Sequence, residues 1–266
     1  MLRFTKMEGL GNDYVYINCL EHTPEDLPSL AKRVSDRHFG VGGDGLICIC
    51  PSERADVRMR MFNADGSEGE MCGNGIRCVG KFVYDKGLVP KTTLTVETLA
   101  GVKTLKLTLE NGLVSAVTVD MGEPVLRPSA EITVKGINYT VNPASMGNPH
   151  AVVYLPEIGK LNLEELGPHF ECHPMFPNRT NTEFVEVLDR THLNMRVWER
   201  GSGETLACGT GACAVLAVTA SLGLCEREAV VHLLGGDLSI RWSENDGHIY
   251  MTGPARTVFE GELNES

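Results

Sequence analysis

The chain repeats itself at one constant spacing, which restricts the folds that it can form. The phrase Cys-Gly-x-Gly begins at Cys72 and again at Cys208, 136 positions later. At the same offset, and without a gap, further residues match: Met59 with Met195, Arg60 with Arg196, Glu68 with Glu204, Gly87 with Gly223 and Leu88 with Leu224. A constant offset over about eighty residues indicates two structurally equivalent halves that arose by internal duplication.

Each half reads as a set of strands around one central helix. In the first half, alternating apolar residues predict strands at 1–8, 13–20, 45–50, 56–62, 92–99, 103–109 and 113–121. In the second half, they predict strands at 150–155, 183–188, 194–200, 229–234, 238–242 and 248–253. Helical spacing follows each cysteine, at 73–86 and 209–222, and a further short helix is predicted over 28–40. The helix at 209–222 is apolar nearly all round, so we expect it to be buried.

These patterns predict an α+β fold of two pseudo-symmetric lobes, each a β-rich shell around a central helix. The pattern breaks between Gly122 and Ala130, so we expect a first lobe of residues 1–121 and a second of residues 122–255. The last residues, 256–266, are expected to return to the first lobe.

Each of the two repeated cysteines stands at the start of a predicted helix. The free backbone N–H groups and the helix dipole at such a position favour negative charge, so they stabilise a thiolate or hold a substrate carboxylate. Two equivalent thiols suit a reaction in which a base removes a proton from one face of a carbon and an acid delivers one to the other face. The repeat therefore favours inversion of a carbon that bears hydrogen, with Cys72 and Cys208 as the acid/base pair.

Other uses of the cysteines remain open. Zinc binding is disfavoured because the cysteines lack the usual short-range C-x-x-C pairs. A disulfide between Cys72 and Cys208 is interpreted as an oxidation product of two close thiols. A Cys–His nucleophile with His150 as its base is a sharper rival, although such a mechanism needs no second equivalent cysteine. Five further cysteines are expected to pack in the core: Cys19, Cys48, Cys50, Cys78 and Cys213.

Charge and hydropathy exclude several classes of partner. The net charge of −11, without a concentrated basic patch, argues against a nucleic-acid partner. No apolar run reaches the roughly 18 to 20 residues of a membrane span, and the N-terminus has no long apolar signal segment. We therefore expect a cytoplasmic protein without a membrane partner. Nine cysteines at scattered positions favour reduced thiols.

Five motifs, in order, resemble those of the diaminopimelate epimerase family of cofactor-independent two-cysteine racemases. They are GNDYV from Gly11, FNADGSEGEMCGNGIRC from Phe62, MGNPHAV from Met146, RTNTEFV from Arg179 and WERGSGETLACGTGACA from Trp198. The resemblance covers essentially the full length. It implies an isomerase that interconverts L,L- and meso-diaminopimelate in lysine and cell-wall precursor biosynthesis. It also implies a homodimer and the absence of any cofactor or metal.

The resemblance also implies a role for each matching residue. Cys72 and Cys208 would be the acid and the base, and His150 and Glu199 would tune those thiols. The implied substrate contacts are Asn12, Asn63, Gly73, Asn74, Asn148, Asn181, Glu199, Arg200, Gly209 and Thr210. Asparagine suits a zwitterionic ligand because it supplies donors and acceptors together, and an arginine can clamp a distal carboxylate. The chain departs from some relatives at Gly45, where they carry a substrate-contacting glutamine.

Two other functions remain open. One is a racemase of the same family that acts on another amino acid, such as histidine or proline. Against it, Asn63, Asn181 and Arg200 favour a dicarboxylic substrate. The other is a two-lobed protein that binds an amino acid without turning it over. Solvent deuterium incorporation at the α-carbon distinguishes that binding protein from an epimerase.

Overall fold

The polypeptide forms two compact units. The computed structural model describes residues 1–264, so residues 265 and 266 of the predicted first lobe lie outside the described residues. The first unit comprises Met1–Val119 together with the segment that begins at Gly253, and the second unit comprises Asp120–Thr252. Strands and a smaller number of helices make up each unit, which confirms the predicted α+β class.

The first unit is a strand-rich sheet with two helices. Its elements are β1 (Leu2–Gly9), β2 (Asn12–Asn18), α1 (Leu27–Ser35), β3 (Gly45–Cys50), β4 (Val57–Asn63), β5 (Glu68–Gly69), α2 (Gly73–Asp85), β6 (Thr93–Thr98), β7 (Gly101–Glu110), β8 (Leu113–Gly122) and, near the C-terminus, β19 (Arg256–Leu263). The strands pair in the order β19, β1, β2, β3, β4, β6, β7, β8, and β5 pairs with β4. The β2–β3 and β4–β6 pairs are parallel and the others are antiparallel.

The second unit repeats this plan. Its elements are β9 (Val125–Leu126), β10 (Ala130–Val134), β11 (Ile137–Ser145), β12 (Pro149–Tyr154), a 3-10 helix (Ile158–Lys160), α3 (Leu163–Glu171), β13 (Asn181–Val187), β14 (His192–Glu199), β15 (Gly203–Thr205), α4 (Gly209–Ser221), β16 (Glu228–Leu233), β17 (Gly236–Trp242) and β18 (Ile249–Pro254). The strands pair in the order β10, β11, β12, β13, β14, β16, β17, β18, with β15 on β14. The parallel pairs, β12–β13 and β14–β16, are the counterparts of those in the first unit. The matching order confirms the predicted duplication.

The central helix of each unit is enclosed by its own strands. Every residue of α2 from Gly73 to Val83 is buried against strands that include β1, β2 and β7. In α4, nearly every residue from Gly209 to Thr219 is buried, as its all-round apolar sequence predicts. The predicted core cysteines are all buried, although Cys19 follows β2 rather than lying within a strand.

The first predicted helix is shorter than expected. The pattern over 28–40 predicts a longer helix, but α1 ends at Ser35. The Asp36 side chain accepts hydrogen bonds from the N–H groups of His38 and Phe39, at 2.7 and 2.8 Å. An aspartate that bonds to nearby backbone favours a turn over a further helical turn, so the helix stops there.

The local sequence pattern does not predict helix α3 (Leu163–Glu171), although α3 lies at the repeat equivalent of α1. Its sequence, LEELGPHFE, carries Gly167 and Pro168, which are poor helix formers. Gly167 has a packing reason, because a Cβ there would lie 2.2 Å from the ring of Trp198. Since α1 begins at Leu27, an offset of 136 predicts a helix that begins at Leu163, where α3 does begin. Within residues 1–264, no helix is both long and apolar enough to cross a membrane.

Candidate active site

Cys72 is the N-cap of α2. Its backbone is extended, and the Gly75 N–H donates to the Cys72 Sγ at 3.3 Å. Gly75 allows the helix to lie close to β3, because a Cβ there would lie 2.7 Å from Ile47 Cδ1. The sulfur therefore lies at the first-turn N–H groups and at the positive end of a helix dipole, where a thiolate is favoured.

Asn12 holds the Cys72 thiol from β2. The S–H donates to Asn12 Oδ1 at 3.1 Å, and Asn12 Nδ2 donates to Asp44 Oδ2 at 2.7 Å. Arg37 in turn donates to Asp44 Oδ1 at 3.1 Å. Because Asp44 can only accept when it is ionised, it fixes the amide with its oxygen towards the sulfur. The Asn12 oxygen therefore favours the protonated thiol, whereas the N–H groups of the helix start favour the thiolate.

A buried arginine supports the first turn of α2. Arg77 has no exposed surface, and its guanidinium donates to the Gly73 carbonyl and to Asn74 Oδ1, each at 3.0 Å. Its Nε donates to the Pro254 carbonyl at 3.1 Å. A charged group is buried at low free-energy cost only when hydrogen bonds satisfy it, so Arg77 holds the Asn74 side chain in a defined orientation.

Cys208 is the N-cap of α4 and is only 5% exposed. Burial raises the pKa of Cys208 well above the usual thiol range, and the nearby carboxyls of Glu199 and Glu183 raise it further. Hydrogen bonds from Thr210 and from the Gly211 N–H act in the opposite direction. Burial and the two carboxyls dominate, so the net effect of the surroundings on the Cys208 pKa is upward.

Glu199 lies at the end of β14, at the position equivalent to Asn63 at the end of β4. The Thr205 hydroxyl donates to Glu199 Oε1 at 2.5 Å. Burial raises the pKa of Glu199, and hydrogen bonds with Thr205 and Cys208 partly offset that rise. A carboxyl with a raised pKa beside a thiol is suited to exchange a proton with it.

His150, on β12, is linked through two other side chains to Cys208 at the start of α4. Its Nδ1 lies 2.6 Å from Glu183 Oε1, and its Nε2 lies 3.0 Å from Asn148 Oδ1. Asn148 Nδ2 donates to Thr210 Oγ1 at 3.3 Å, and Thr210 Oγ1 lies 3.6 Å from Cys208 Sγ. Four residues that the sequence predicts for the site therefore form one chain of contacts with Glu183.

Asn181 and Arg200 contact each other, and Asn181 Nδ2 also donates to the Pro149 carbonyl, between Asn148 and His150, at 2.9 Å. The Arg200 N–H donates to Asn181 Oδ1 at 2.9 Å, while the exposed Arg200 side chain donates to the Asn178 carbonyl at 3.1 Å. In the first unit, the Asn63 side chain donates to Ser67 Oγ at 3.0 Å. The three residues therefore lie at strand ends, and each side chain is hydrogen-bonded within its own unit.

Gly73 and Gly209 each occupy the first helical position after a cysteine. Their backbone N–H groups belong to the first turn, where no partner within the helix is available. Each helix start can therefore hold an anionic group such as a carboxylate.

A sequence model of the diaminopimelate epimerase family matches residues 4–127 and 143–258, which is most of the chain. The chain belongs to the diaminopimelate epimerase family. The resemblance predicted from the five motifs is confirmed, and the protein is an enzyme of the isomerase class. A protein of Acetivibrio thermocellus described as a diaminopimelate epimerase is 58% identical, with 99% of each chain covered. One of Methanococcus maripaludis with the same description is 56% identical, with 99% of this chain and 100% of that protein covered.

Solved structures of low sequence identity share the fold. A phenazine biosynthesis protein of the PhzF family from Bacillus anthracis has a TM-score of 0.79 at 19% identity, with 99% of each chain covered. A probable proline racemase from Agrobacterium radiobacter K84 has a TM-score of 0.76 at 16% identity, with 100% of this chain and 94% of that chain covered. These likenesses concern the fold alone, and they confirm the predicted epimerase-like architecture.

A steric conflict explains why this chain carries glycine at position 45, where some family members carry glutamine. Gly45 is the first residue of β3, and a Cβ there would lie 2.0 Å from the Phe62 carbonyl oxygen and 2.8 Å from Tyr14 Cε1. A glutamine does not fit this backbone. The repeat equivalent of Gly45 is Asn181, 136 positions later, which begins β13. At this pair of positions, only the second repeat therefore carries a side-chain amide.

Sequence reasoning missed three polar residues that support the site: Asp44, Arg77 and Glu183. Glu183 lies two residues after Asn181, so both side chains share one face of β13, whose first five residues are buried. A carboxyl on a buried strand face is an available signal, because such a group requires a partner. Asp44 and Arg77 gave no comparable signal, since both residue types are ordinary at a loop or on a helix.

Proposed function

We propose that this chain interconverts L,L-diaminopimelate and meso-diaminopimelate by proton exchange at one α-carbon, without a cofactor. Membership of the family supports the reaction, and the relatives described as diaminopimelate epimerases support the substrate. The observation that carries the chemistry is that Cys72 and Cys208, at equivalent repeat positions, each cap the N-terminus of a helix. The product would serve lysine and cell-wall precursor synthesis.

One cysteine acts as the thiolate base and the other as the thiol acid, and the two roles exchange with the direction of the reaction. The α-proton of an amino acid is weakly acidic, so the negative charge that develops must be stabilised. The backbone N–H groups of Gly73 and Gly209 would hold the substrate carboxylate beside the reacting carbon. Donors that are fixed in advance stabilise developing charge without reorganisation.

The remaining polar residues would hold a zwitterion with two carboxylates and two ammonium groups. Glu199 would accept a hydrogen bond from the reacting ammonium, and His150 and Glu199 would tune the thiols. The exposed guanidinium of Arg200 would clamp the distal carboxylate. Further contacts are assigned to asparagines and a threonine, namely Asn12, Asn63, Asn74, Asn148, Asn181 and Thr210.

The test is turnover of L,L-diaminopimelate in deuterium oxide, with a panel of other L-amino acids beside it. We expect the meso product to carry deuterium at the inverted carbon, while unreacted substrate retains hydrogen early in the reaction. That difference arises because the acid that delivers a proton is not the base that removed one. Exchange with another amino acid but not with diaminopimelate would identify a different racemase, and binding without exchange would indicate a non-catalytic protein.

Glu199→Gln is expected to change the pH dependence of turnover. Burial raises the pKa of Glu199, so activity of the wild type should fall as the pH drops through a value above the ordinary carboxyl range. Glutamine has no proton to gain, so the acid limb of the kcat/KM profile attributable to Glu199 should disappear. Glu186→Gln, on β13, is the matched control and should keep the wild-type profile.

The same shift has a consequence for stability. A carboxyl whose pKa is higher in the folded than in the unfolded state binds its proton more tightly when folded. It therefore lowers the free energy of unfolding as the pH rises from the unfolded-state pKa through the folded-state pKa. Above that window, Glu199→Gln should unfold at a higher urea concentration than the wild type. An acid limb identical to that of the wild type would contradict the assignment of Glu199.

We further propose a cytoplasmic homodimer. Among the described strands, β19 pairs in a given register with β1 alone. Two apolar side chains of β19, Val258 and Phe259, are exposed. A free strand edge with exposed apolar side chains favours pairing with a second copy of the chain. The molecular mass in solution, measured by analytical ultracentrifugation, tests the dimer, and a monomer at assay concentration contradicts it.

A further inference from the structure

An unbroken chain of polar contacts leads from a buried carboxyl to the Cys208 sulfur. Glu183 Oε1 and His150 Nδ1 are 2.6 Å apart, and His150 Nε2 and Asn148 Oδ1 are 3.0 Å apart. Asn148 Nδ2 and Thr210 Oγ1 are 3.3 Å apart, and Thr210 Oγ1 and Cys208 Sγ are 3.6 Å apart. The side chains of Glu183 and His150 have no exposed surface, and among the described residues Glu183 Oε2 has no hydrogen-bond partner.

The orientation of the Asn148 amide gives this chain a direction. Its oxygen faces His150 Nε2, so that nitrogen must carry a hydrogen. One more proton then lies between His150 Nδ1 and Glu183 Oε1. The pair is neutral as a whole whichever of the two atoms holds this proton, as a fully buried pair should be.

The direction continues to the sulfur. Because Asn148 donates its Nδ2–H to Thr210 Oγ1, the hydroxyl hydrogen of Thr210 remains available for Cys208 Sγ. If His150 Nε2 lacked its hydrogen, the Asn148 amide would turn to donate to it. Thr210 would then donate to the Asn148 oxygen, and Cys208 would lose a donor.

We propose that Glu183 is a positioning residue that, through His150 and Asn148, directs the Thr210 hydroxyl towards Cys208 and so stabilises the Cys208 thiolate. Its effect on turnover rests on the proposed function, whereas its effect on the thiol does not. Neither Glu183 nor this direction of hydrogen bonding follows from the repeat.

In the first unit the corresponding contacts end at a phenol, because Tyr14 hydrogen-bonds with Asn12 and with Cys72. At the same offset, Tyr14 stands in place of His150, and Ile47 stands in place of Glu183. There the asparagine is oriented by Asp44, and Asn12 presents its oxygen to the thiol. The two repeated asparagines therefore favour opposite states of their cysteines, with Asn12 favouring the thiol.

The test compares two substitutions that remove the same charge. Two carboxyls act on Cys208, namely Glu199 and Glu183, and each of them raises the thiol pKa. Glu183→Gln and Glu183→Met both abolish the charge of the Glu183 carboxyl. The glutamine N–H can donate to His150 Nδ1 and so keep the hydrogen on Nε2, whereas methionine cannot. Any difference between the two variants reports the hydrogen-bond direction alone.

The measurement is the rate of Cys208 alkylation by iodoacetamide at a fixed pH, resolved by peptide mass spectrometry. Below the thiol pKa this rate is proportional to the thiolate fraction. We expect Cys208 in Glu183→Met to react about tenfold more slowly than in Glu183→Gln. A tenfold change is what the loss of one hydrogen bond to a charged group produces. In a Thr210→Val background the difference should vanish, because both changes act through one chain. Glu186→Gln should react like the wild type.

A second measurement needs neither substrate nor a substituted Glu183. The side-chain ¹⁵N spectrum of wild-type histidines, assigned with His150→Gln, should show hydrogen on His150 Nε2 at neutral pH. An unprotonated Nε2, or equal alkylation rates in Glu183→Met and Glu183→Gln, would overturn the proposal. Turnover of diaminopimelate should be about tenfold lower in Glu183→Met than in Glu183→Gln. Absence of turnover in the wild type would refute the proposed function while leaving the alkylation result valid.

Discussion

Replacing either helix-capping cysteine with alanine is expected to abolish epimerisation. Cys208→Ala and Cys72→Ala each remove one of two groups that transfer a proton, and such a group accounts for about 10²- to 10⁴-fold in rate. Loss of either thiol stops turnover in both directions, because each direction requires one base and one acid. The measurement is conversion of L,L- to meso-diaminopimelate, with deuterium incorporation followed in parallel.

Cys172→Ala is the matched control for this pair. Cys172 is exposed and follows α3, so its removal should leave the rate unchanged. Circular dichroism and the urea midpoint of each variant establish that lost activity is not lost folding. A native rate in Cys208→Ala would exclude the two-thiol mechanism and leave a single-cysteine reaction as the better explanation.

Gly45→Gln is expected to destabilise the first unit by at least about 3 kcal/mol. The new Cβ would lie 2.0 Å from the Phe62 carbonyl oxygen, which belongs to the backbone of the paired strand β4. A flexible side chain could rotate away, but a paired strand can yield only if the β3–β4 register is disturbed. Urea unfolding followed by circular dichroism measures the change.

Gly159→Gln supplies the comparison for Gly45→Gln. A Cβ at Gly159, in the 3-10 helix, meets no atom within 4 Å, so the same side chain should be tolerated there. If Gly45→Gln unfolded at the wild-type urea concentration, the β3 backbone would have to relax easily. Steric conflict at β3 would then not explain why position 45 is glycine.

Much of the fold was predictable because its signals are local or periodic. Alternation of apolar residues gave most strands, and the glycines after Asp85 and Ser221 marked where α2 and α4 end. The constant offset gave the duplication, and it would also have given α3, whose own sequence is interrupted by Gly167 and Pro168. Local pattern was wrong for α1, where the Asp36 side chain favours a turn over further helix.

The sequence alone determined that two equivalent cysteines begin two helices, because helix starts and glycine turns are set by neighbouring residues. Only the tertiary structure decided what surrounds each sulfur. Asp44 reaches Asn12 across two strands, and Glu183 reaches His150 across another parallel pair. Such contacts join residues about 30 positions apart, and burial then shifts proton affinities by amounts that no local pattern encodes. Equivalent positions in a repeat therefore share a backbone but differ in the hydrogen bonds that control their chemistry.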